Sequence, residues 1–170
     1  MSGAPASERL RDGFRRAWGA LIDRLEGSEK TLVLRDFHSP NIIWRPDREG
    51  HDRVGLIDFQ DAVIGPAAYD VASLAMDARV TIPPDLEARI VEAYCAARGD
   101  FDRESFDAAY AIMAAQRNSK ILGIFVRLNV RDGKPGYLKH LPRIRDYLAR
   151  SLGHPALKEV RAFYEKAGIV

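Results

Sequence analysis

The sequence predicts an α+β fold in which helices dominate. Short apolar runs bounded by turn residues fill positions 31–57, whereas the chain beyond Pro66 shows helical periodicity to its end. With 170 residues, 46% of them hydrophobic, the chain can bury one sizeable core. We therefore expect a single domain over residues 1–170.

The first predicted element is a helix over residues 7–25. Its apolar side chains recur at steps of three and four residues: Leu10, Phe14, Ala17, Trp18, Leu21 and Leu25. Trp18 and, further along the chain, Trp44 are expected in the core. The residues before this helix lack the basic and apolar regions that are typical of a signal peptide.

Three short strands are predicted next, at residues 31–34, 42–44 and 54–57. The runs are apolar, and the residues between them are turn formers such as Asp, Asn, Pro and Gly. We expect these strands to be buried and to hold the intervening loops side by side.

Five helices are predicted to complete the chain. They cover residues 67–78, 85–98, 103–130, 137–152 and 156–167, and glycine or proline residues separate them. The longest carries an apolar stripe that is interrupted by one charged residue, Arg117.

The loops around the strands carry the residues with chemical potential. Asn41 follows Asp36 by five positions, and Asp58 comes directly after the third predicted strand. This spacing is typical of the catalytic and metal loops of kinase-type phosphoryl transfer. Asp36 would accept or orient the proton of an attacking hydroxyl. The side-chain oxygens of Asn41 and Asp58 suit Mg²⁺ as ligands.

These motifs resemble the aminoglycoside phosphotransferase and choline kinase superfamily, whose fold is similar to that of protein kinases. The usual signature is His-Gly-Asp-x-His-x-x-Asn and then Ile-Asp-Phe/Trp. The matching residues are Asp36, His38, Asn41, Ile57, Asp58 and Phe59. Residues 65–72, Gly-Pro-Ala-Ala-Tyr-Asp-Val-Ala, are similar to the Gly-x-x-x-Tyr-Asp-Leu-Ala helix of the family. Residues 34–41, 57–62 and 114–125 look most like the bacterial branch that phosphorylates the anomeric hydroxyl of cell-wall amino sugars.

The resemblance covers only the C-terminal lobe of the family fold, with a few short strands carrying the catalytic and metal loops. Neither Gly-x-Gly-x-x-Gly nor Val-Ala-x-Lys occurs, so an N-terminal nucleotide lobe is not recognised. The resemblance implies transfer of phosphate from ATP, with Mg²⁺, to a hydroxyl of a small sugar or amino sugar. It also implies that the isolated lobe is inactive, binds ATP and Mg²⁺ weakly or not at all, and self-associates through the surface left by the absent lobe.

Two other functions stay open at this stage. One is a truncated, non-catalytic remnant that acts as a binding or interaction module. The other keeps the kinase but changes the acceptor to an aminoglycoside, choline or homoserine. Acidic residues gathered at the acceptor pocket would favour such a cationic acceptor.

Four further residues belong to the predicted site. His38 stands where protein kinases carry a Lys that touches the transferred phosphate, so it either donates to phosphate oxygens or makes a hydrogen bond within the loop. Asp70 is expected to accept backbone N–H bonds from the catalytic loop. For Arg117 we favour an ion pair with an Asp of the loops over a contact to substrate or phosphate. Asp61 assists the metal or substrate, or is simply solvated.

Bulk composition narrows the remaining classes. A net charge of +2 gives no strong field, so neither nucleic acid nor a membrane is an expected partner. The single cysteine, Cys95, leaves no internal disulfide framework, which fits a reducing compartment, and we expect a cytoplasmic location.

Overall fold

The computed structural model describes residues 6–99 and 101–170. Within them lie six α-helices and four short strands. The helices are α1 Glu8–Glu26, α2 Ala68–Ala75, α3 Pro84–Arg98, α4 Arg103–Asp132, α5 Leu141–Ser151 and α6 Lys158–Lys166. The strands are β1 Lys30–Val33, β2 Ile42–Trp44, β3 Val54–Leu56 and β4 Val63–Pro66. The predicted α+β, mostly helical class is confirmed.

Helix α4 forms the centre of the helical body. The Asp102 side chain caps its first turn by accepting a hydrogen bond from Ser105 N–H, and Gly133 ends it in the left-handed conformation. Its buried face packs against α2 and α5, where Ile144 and Leu148 are fully buried. Among the described residues, no helix combines the length and the apolar character that crossing a bilayer requires.

Helices α1 and α6 pack together against another side of α4. Trp18 Nε1–H donates to the Tyr164 hydroxyl at 3.1 Å, and that hydroxyl donates to Ser119 Oγ at 2.9 Å. The chain of bonds satisfies polar groups that would be costly to bury alone. The prediction that Trp18 belongs to the core is confirmed, since only 4% of this residue is exposed.

The strands differ from the prediction in number and in burial. They form two antiparallel ribbons, β1 with β4 and β2 with β3. Strand β4 was not predicted, because Gly65 and Pro66 at its end look like turn residues. The expectation of buried strands is wrong for most positions. Val33 alone is fully buried in them, while Trp44 is 60% exposed, because no described residue covers the outer faces of the ribbons.

The two largest differences in the helix boundaries have local reasons. Helix α2 ends at Ala75 rather than at residue 78, because the side chain of Asp77 draws the backbone N–H of Arg79 into a turn. Residues 135–140 are 3₁₀ rather than α-helical, and α5 begins at Leu141. Pro142 has no N–H to donate, so it is tolerated only in the first turn of a helix.

Candidate active site

The first loop of the site opens with a tight turn at Arg35. The backbone N–H of Asp36 donates to the carbonyl of Leu34 at 2.9 Å, and Arg35 between them has a φ of +70°. A hydrogen bond from the N–H of residue i+2 to the carbonyl of residue i, around a central residue with positive φ, defines the strained form of the γ-turn. The family signature quoted above has Gly at this position. Arg35 therefore holds a conformation that glycine adopts freely. The turn leaves Asp36 exposed to solvent.

Asp70, in the first turn of α2, holds this turn in place. Its Oδ2 accepts from Leu34 N–H at 2.6 Å, and its Oδ1 accepts from Arg35 N–H at 3.1 Å. Burial raises the pKa of this carboxyl, and the two backbone bonds act in the opposite direction. Both oxygens thus fix the backbone next to Asp36. This is the type of contact that sequence analysis expected of Asp70.

Asn41 connects the two loops. Its Nδ2 donates to the backbone carbonyl of Asp36 at 2.9 Å and to Asp58 Oδ2 at 3.2 Å. Its backbone carbonyl accepts from Ile57 N–H at 3.1 Å. Because both amide hydrogens are engaged, the amide oxygen is the atom of Asn41 that is left for a ligand.

Asp58 sits on a second strained backbone position, with a φ of +63°. Its Oδ1 accepts from Gln60 Nε2 at 2.7 Å, and its side chain is exposed. Non-glycine residues held at positive φ cluster at functional sites, where surrounding contacts impose the strain. Both such residues in the described chain, Arg35 and Asp58, lie in these two loops.

The side-chain oxygens of Asn41 and Asp58 are suitable ligands for magnesium. One amide oxygen and one carboxylate are hard oxygen ligands, and Mg²⁺ keeps water or phosphate oxygens for its other positions. The described residues contain no group of three or more His, Cys, Asp and Glu side chains able to hold a metal. A closed, all-protein metal cage is therefore not formed by these residues.

Asp61 lies beside the same loops. Its backbone carbonyl accepts from Arg35 Nη1 at 3.3 Å, and its carboxylate lies 4.0 Å from the same guanidinium nitrogen. About two thirds of the Asp61 side chain is exposed. The long ion pair is weak in solvent, so Asp61 is free to turn toward a bound metal or substrate.

His38 is held in one tautomer. Only 5% of the residue is exposed, and its Nε2 lies 2.9 Å from Arg79 Nη1. A guanidinium only donates, so Nε2 is the acceptor and Nδ1 carries the hydrogen. Burial first, and the Arg79 charge second, lower the pKa of His38, which agrees with a neutral ring. The alternative of a hydrogen bond within the loop is wrong, because the ring contacts Arg79 beyond α2.

Sequence analysis missed Asp77 and Arg79. Asp77 is fully buried, and its carboxylate accepts from Ser39 N–H at 2.9 Å and from Arg79 N–H at 2.7 Å. Burial opposes the charge, but these hydrogen bonds outweigh it, and the pKa of Asp77 is lowered. A signal was present, because the helix predicted over residues 67–78 would place Asp70 and Asp77, seven residues apart, on one face.

The ion pair that we favoured for Arg117 is not found. Arg117 is 6% exposed, and its Nη1 donates to the backbone carbonyl of Met76 at 3.1 Å. No carboxylate of the described residues lies within ion-pair distance of it. The physical reason is the end of α2, whose last carbonyls carry partial negative charge and attract a cation. Burial lowers the pKa of the Arg117 guanidinium. The negative charges of Asp77 and Asp36 act in the opposite direction.

The family described as "Phosphotransferase enzyme family" matches residues 3–109. An N-acetylmuramate/N-acetylglucosamine kinase of Caulobacter vibrioides is 42% identical over 149 residues, which cover 88% of this chain and 41% of that protein. Proteins of the same name from Pseudomonas putida and Neisseria meningitidis are each 36% identical, over 82% and 80% of the chain and 42% of each relative.

The chain spans less than half the length of the curated relatives that it matches. The matched family covers more than half of this chain, including the loops of Asp36 and Asp58 and the helix of Asp70. The resemblance to the aminoglycoside phosphotransferase superfamily and to amino-sugar kinases is confirmed. The chain belongs to the phosphotransferase enzyme family.

Proposed function

We propose that this chain is the catalytic and acceptor-binding lobe of an ATP-dependent amino-sugar kinase. The acceptor is N-acetylmuramate or N-acetylglucosamine, the sugars named for the relatives. The single observation that carries the proposal is the bridge made by Asn41, which joins the backbone of Asp36 to the carboxylate of Asp58. It sets the proposed catalytic loop and metal loop side by side.

Each loop has one task in the proposed reaction. The hydroxyl oxygen of the sugar attacks the γ-phosphorus of ATP, the bond to the β–γ bridging oxygen breaks, and ADP leaves. Asp36 orients the hydroxyl and takes its proton. Asn41 and Asp58 would hold Mg²⁺, which neutralises charge on the phosphates when bound. His38 Nδ1–H is buried and has no partner among the described residues, so it would donate to an oxygen of phosphate or sugar only after the loop moves. We place the activity in the cytoplasm, where ATP is available.

The charges near the catalytic loop favour a neutral or anionic acceptor over a cationic one. His38 contacts Arg79. Arg143 donates to the carbonyl of Ala78, next to Arg79 in the chain, and also contacts His140. Of the carboxylates near Asp36, Asp70 and Asp77 are engaged by backbone N–H groups, and Asp58 is assigned to the metal. Asp61 is then left to meet a cation, which is fewer anionic partners than an aminoglycoside with several ammonium groups requires.

The metal assignment provides a direct test. In the isolated chain, Mn²⁺ should bind weakly near Asn41 and Asp58, and more tightly than Mg²⁺, because divalent affinity generally favours it. Paramagnetic broadening of amides at residues 36–41 and 58–61 would report binding. Asp58→Asn should abolish the broadening. Asp61→Asn, which changes an exposed neighbouring carboxylate in the same way, should reduce it less.

The outcomes separate the proposal from a non-catalytic remnant. Broadening that survives Asp58→Asn, or that maps to another part of the chain, contradicts the metal site and favours the remnant. Turnover is a separate matter. The 170 residues contain no recognisable glycine-rich phosphate loop. We therefore expect the chain alone to show no ATP-dependent phosphorylation of either sugar in a coupled ADP assay.

A further inference from the structure

A group of basic side chains lies directly behind the proposed catalytic loop. Arg79 contacts His38, two residues after Asp36, at 2.9 Å. Arg143 of α5 donates to the carbonyl of Ala78 at 3.0 Å, next to Arg79 in the chain. His140 Nδ1 lies 3.3 Å from Arg143 Nη1. We call Arg79, Arg143 and His140 the basic subsite.

The basic subsite has cations without matching anions. Neither Arg79 nor Arg143 is within ion-pair distance of a carboxylate in residues 6–99 and 101–170. Asp77 lies close to Arg79, but its two oxygens are occupied by backbone N–H groups. Burial, then the charges of Arg143, Lys139 and Arg79, lower the pKa of His140, as mutually repelling cations in one place would. A cluster of this kind gains from an anionic ligand.

A second observation points to a ligand at the same place. Only 5% of His38 is exposed, and its Nδ1 has no hydrogen-bond partner among the described residues. The contact with Arg79 puts the hydrogen on Nδ1. A buried N–H without an acceptor is unfavourable by roughly 1–3 kcal/mol, so this donor would gain from an acceptor that becomes available when the loop moves to bind a ligand.

The two acceptors of the proposed function differ by one anion. N-acetylmuramate is N-acetylglucosamine that carries a lactyl ether, and that ether ends in a carboxylate. Arginine suits a carboxylate because its planar fork of N–H groups matches the two oxygens. Arg79 is exposed and Arg143 is partly so. Arg143 Nε donates to Thr81 Oγ1, and the Nη1 atoms of both arginines are engaged, so the described residues leave Nη2 of each for a ligand.

We propose that the basic subsite binds the carboxylate of the acceptor sugar and so determines preference for the acidic amino sugar. The inference rests on the proposed function, because it assumes that the sugar hydroxyl reaches Asp36. The same chemistry would also suit a phosphate oxygen, so the experiment has to distinguish the two anions.

The experiment measures binding to the isolated chain by amide chemical shifts. Four probes are titrated: N-acetylmuramate, its methyl ester, N-acetylglucosamine and inorganic phosphate. We expect N-acetylmuramate to bind about tenfold more tightly than its ester or N-acetylglucosamine, the effect of one charge-assisted contact. Arg79→Gln keeps a donor for His38 but removes the charge, and it should erase that preference. Arg89→Gln, an exposed arginine of α3, should preserve it.

Each outcome supports or overturns the inference. Equal binding of all three sugars at the loop, unchanged by Arg79→Gln, refutes the basic subsite but leaves the proposed function standing. Sugars that shift no amide of residues 36–41 refute both. Phosphate that binds through Arg79, together with N-acetylmuramate that binds no more tightly than its ester, shows that the subsite takes phosphoryl groups instead, and overturns the assignment to the sugar carboxylate.

Discussion

Asp70→Asn tests whether α2 determines the shape of the catalytic loop. The carboxylate accepts two backbone hydrogen bonds, from Leu34 N–H at 2.6 Å and from Arg35 N–H at 3.1 Å. An asparagine has only one oxygen, so one of the two N–H groups must then face an NH₂ group. The substitution therefore removes one bond and makes the other a neutral one.

The size of the effect follows from these contacts. A hydrogen bond to a charged group stabilises a fold by roughly 1.5–3 kcal/mol, and a neutral one by about 0.5–1.5. Asp70 is half-buried, and burial raises the pKa of its carboxyl, so desolvation of the charge offsets part of the gain. We expect Asp70→Asn to lower the free energy of unfolding by about 2 kcal/mol, or about 4–8 °C in Tm for a domain of this size.

Urea unfolding followed by circular dichroism measures the loss. Asp146→Asn is the matched control, because Asp146 pairs with Arg150 on an exposed face of α5 and should change stability by less than about 0.5 kcal/mol. Amide resonances of residues 34–41 should shift in the Asp70 variant, whereas those of α4 should stay in place. A loss no larger than that of the control, together with unshifted loop resonances, would refute the reasoning.

Two more predictions concern the same region. Arg35→Gly should raise the free energy of unfolding by about 0.5 kcal/mol in urea titration, because relief of the positive φ exceeds the entropy cost of glycine. The control Arg48→Gly, in an ordinary turn, should lower the free energy of unfolding. A loss of stability at both positions would contradict the strain argument. The chain should form a concentration-dependent dimer through the exposed strands, where Ile64 is 72% exposed on β4. Ile64→Lys should abolish the dimer in sedimentation velocity, and a wild-type monomer at every concentration would count against it.

Much of the fold could be read from local sequence signals. Helical periodicity and the proline and glycine breaks located all six helices, because both signals act within a few residues. The short strands were harder to predict. Strand β4 ends in Gly65 and Pro66, and its partner is β1, some thirty residues earlier in the chain. Pairing over such a distance leaves no local trace.

The site, like the fold, has some features that local sequence signals predict and others that depend on distant contacts. The spacing of Asp36, Asn41 and Asp58 was visible because each motif is contiguous with a strand. The partners of His38 and Arg117 were not, since they are decided by how α2 ends. Periodicity placed Arg117 on an apolar stripe but could not show that a backbone carbonyl, rather than a carboxylate, would meet it.

Helix α2 accounts for the arrangement of the first loop. Asp70 near its start binds the backbone on one side of Asp36, and Asp77 just after its end binds Ser39 on the other. The two carboxylates lie at opposite ends of α2, which closes at Ala75, so they fix the loop at two separated points. Asn41 then extends the same support to the second loop through Asp58. Since all of these partners belong to this chain, the loops can be preorganised before any substrate binds. Under the proposed function, ligands would meet a site that is already shaped, and little ordering of the loops would oppose their binding.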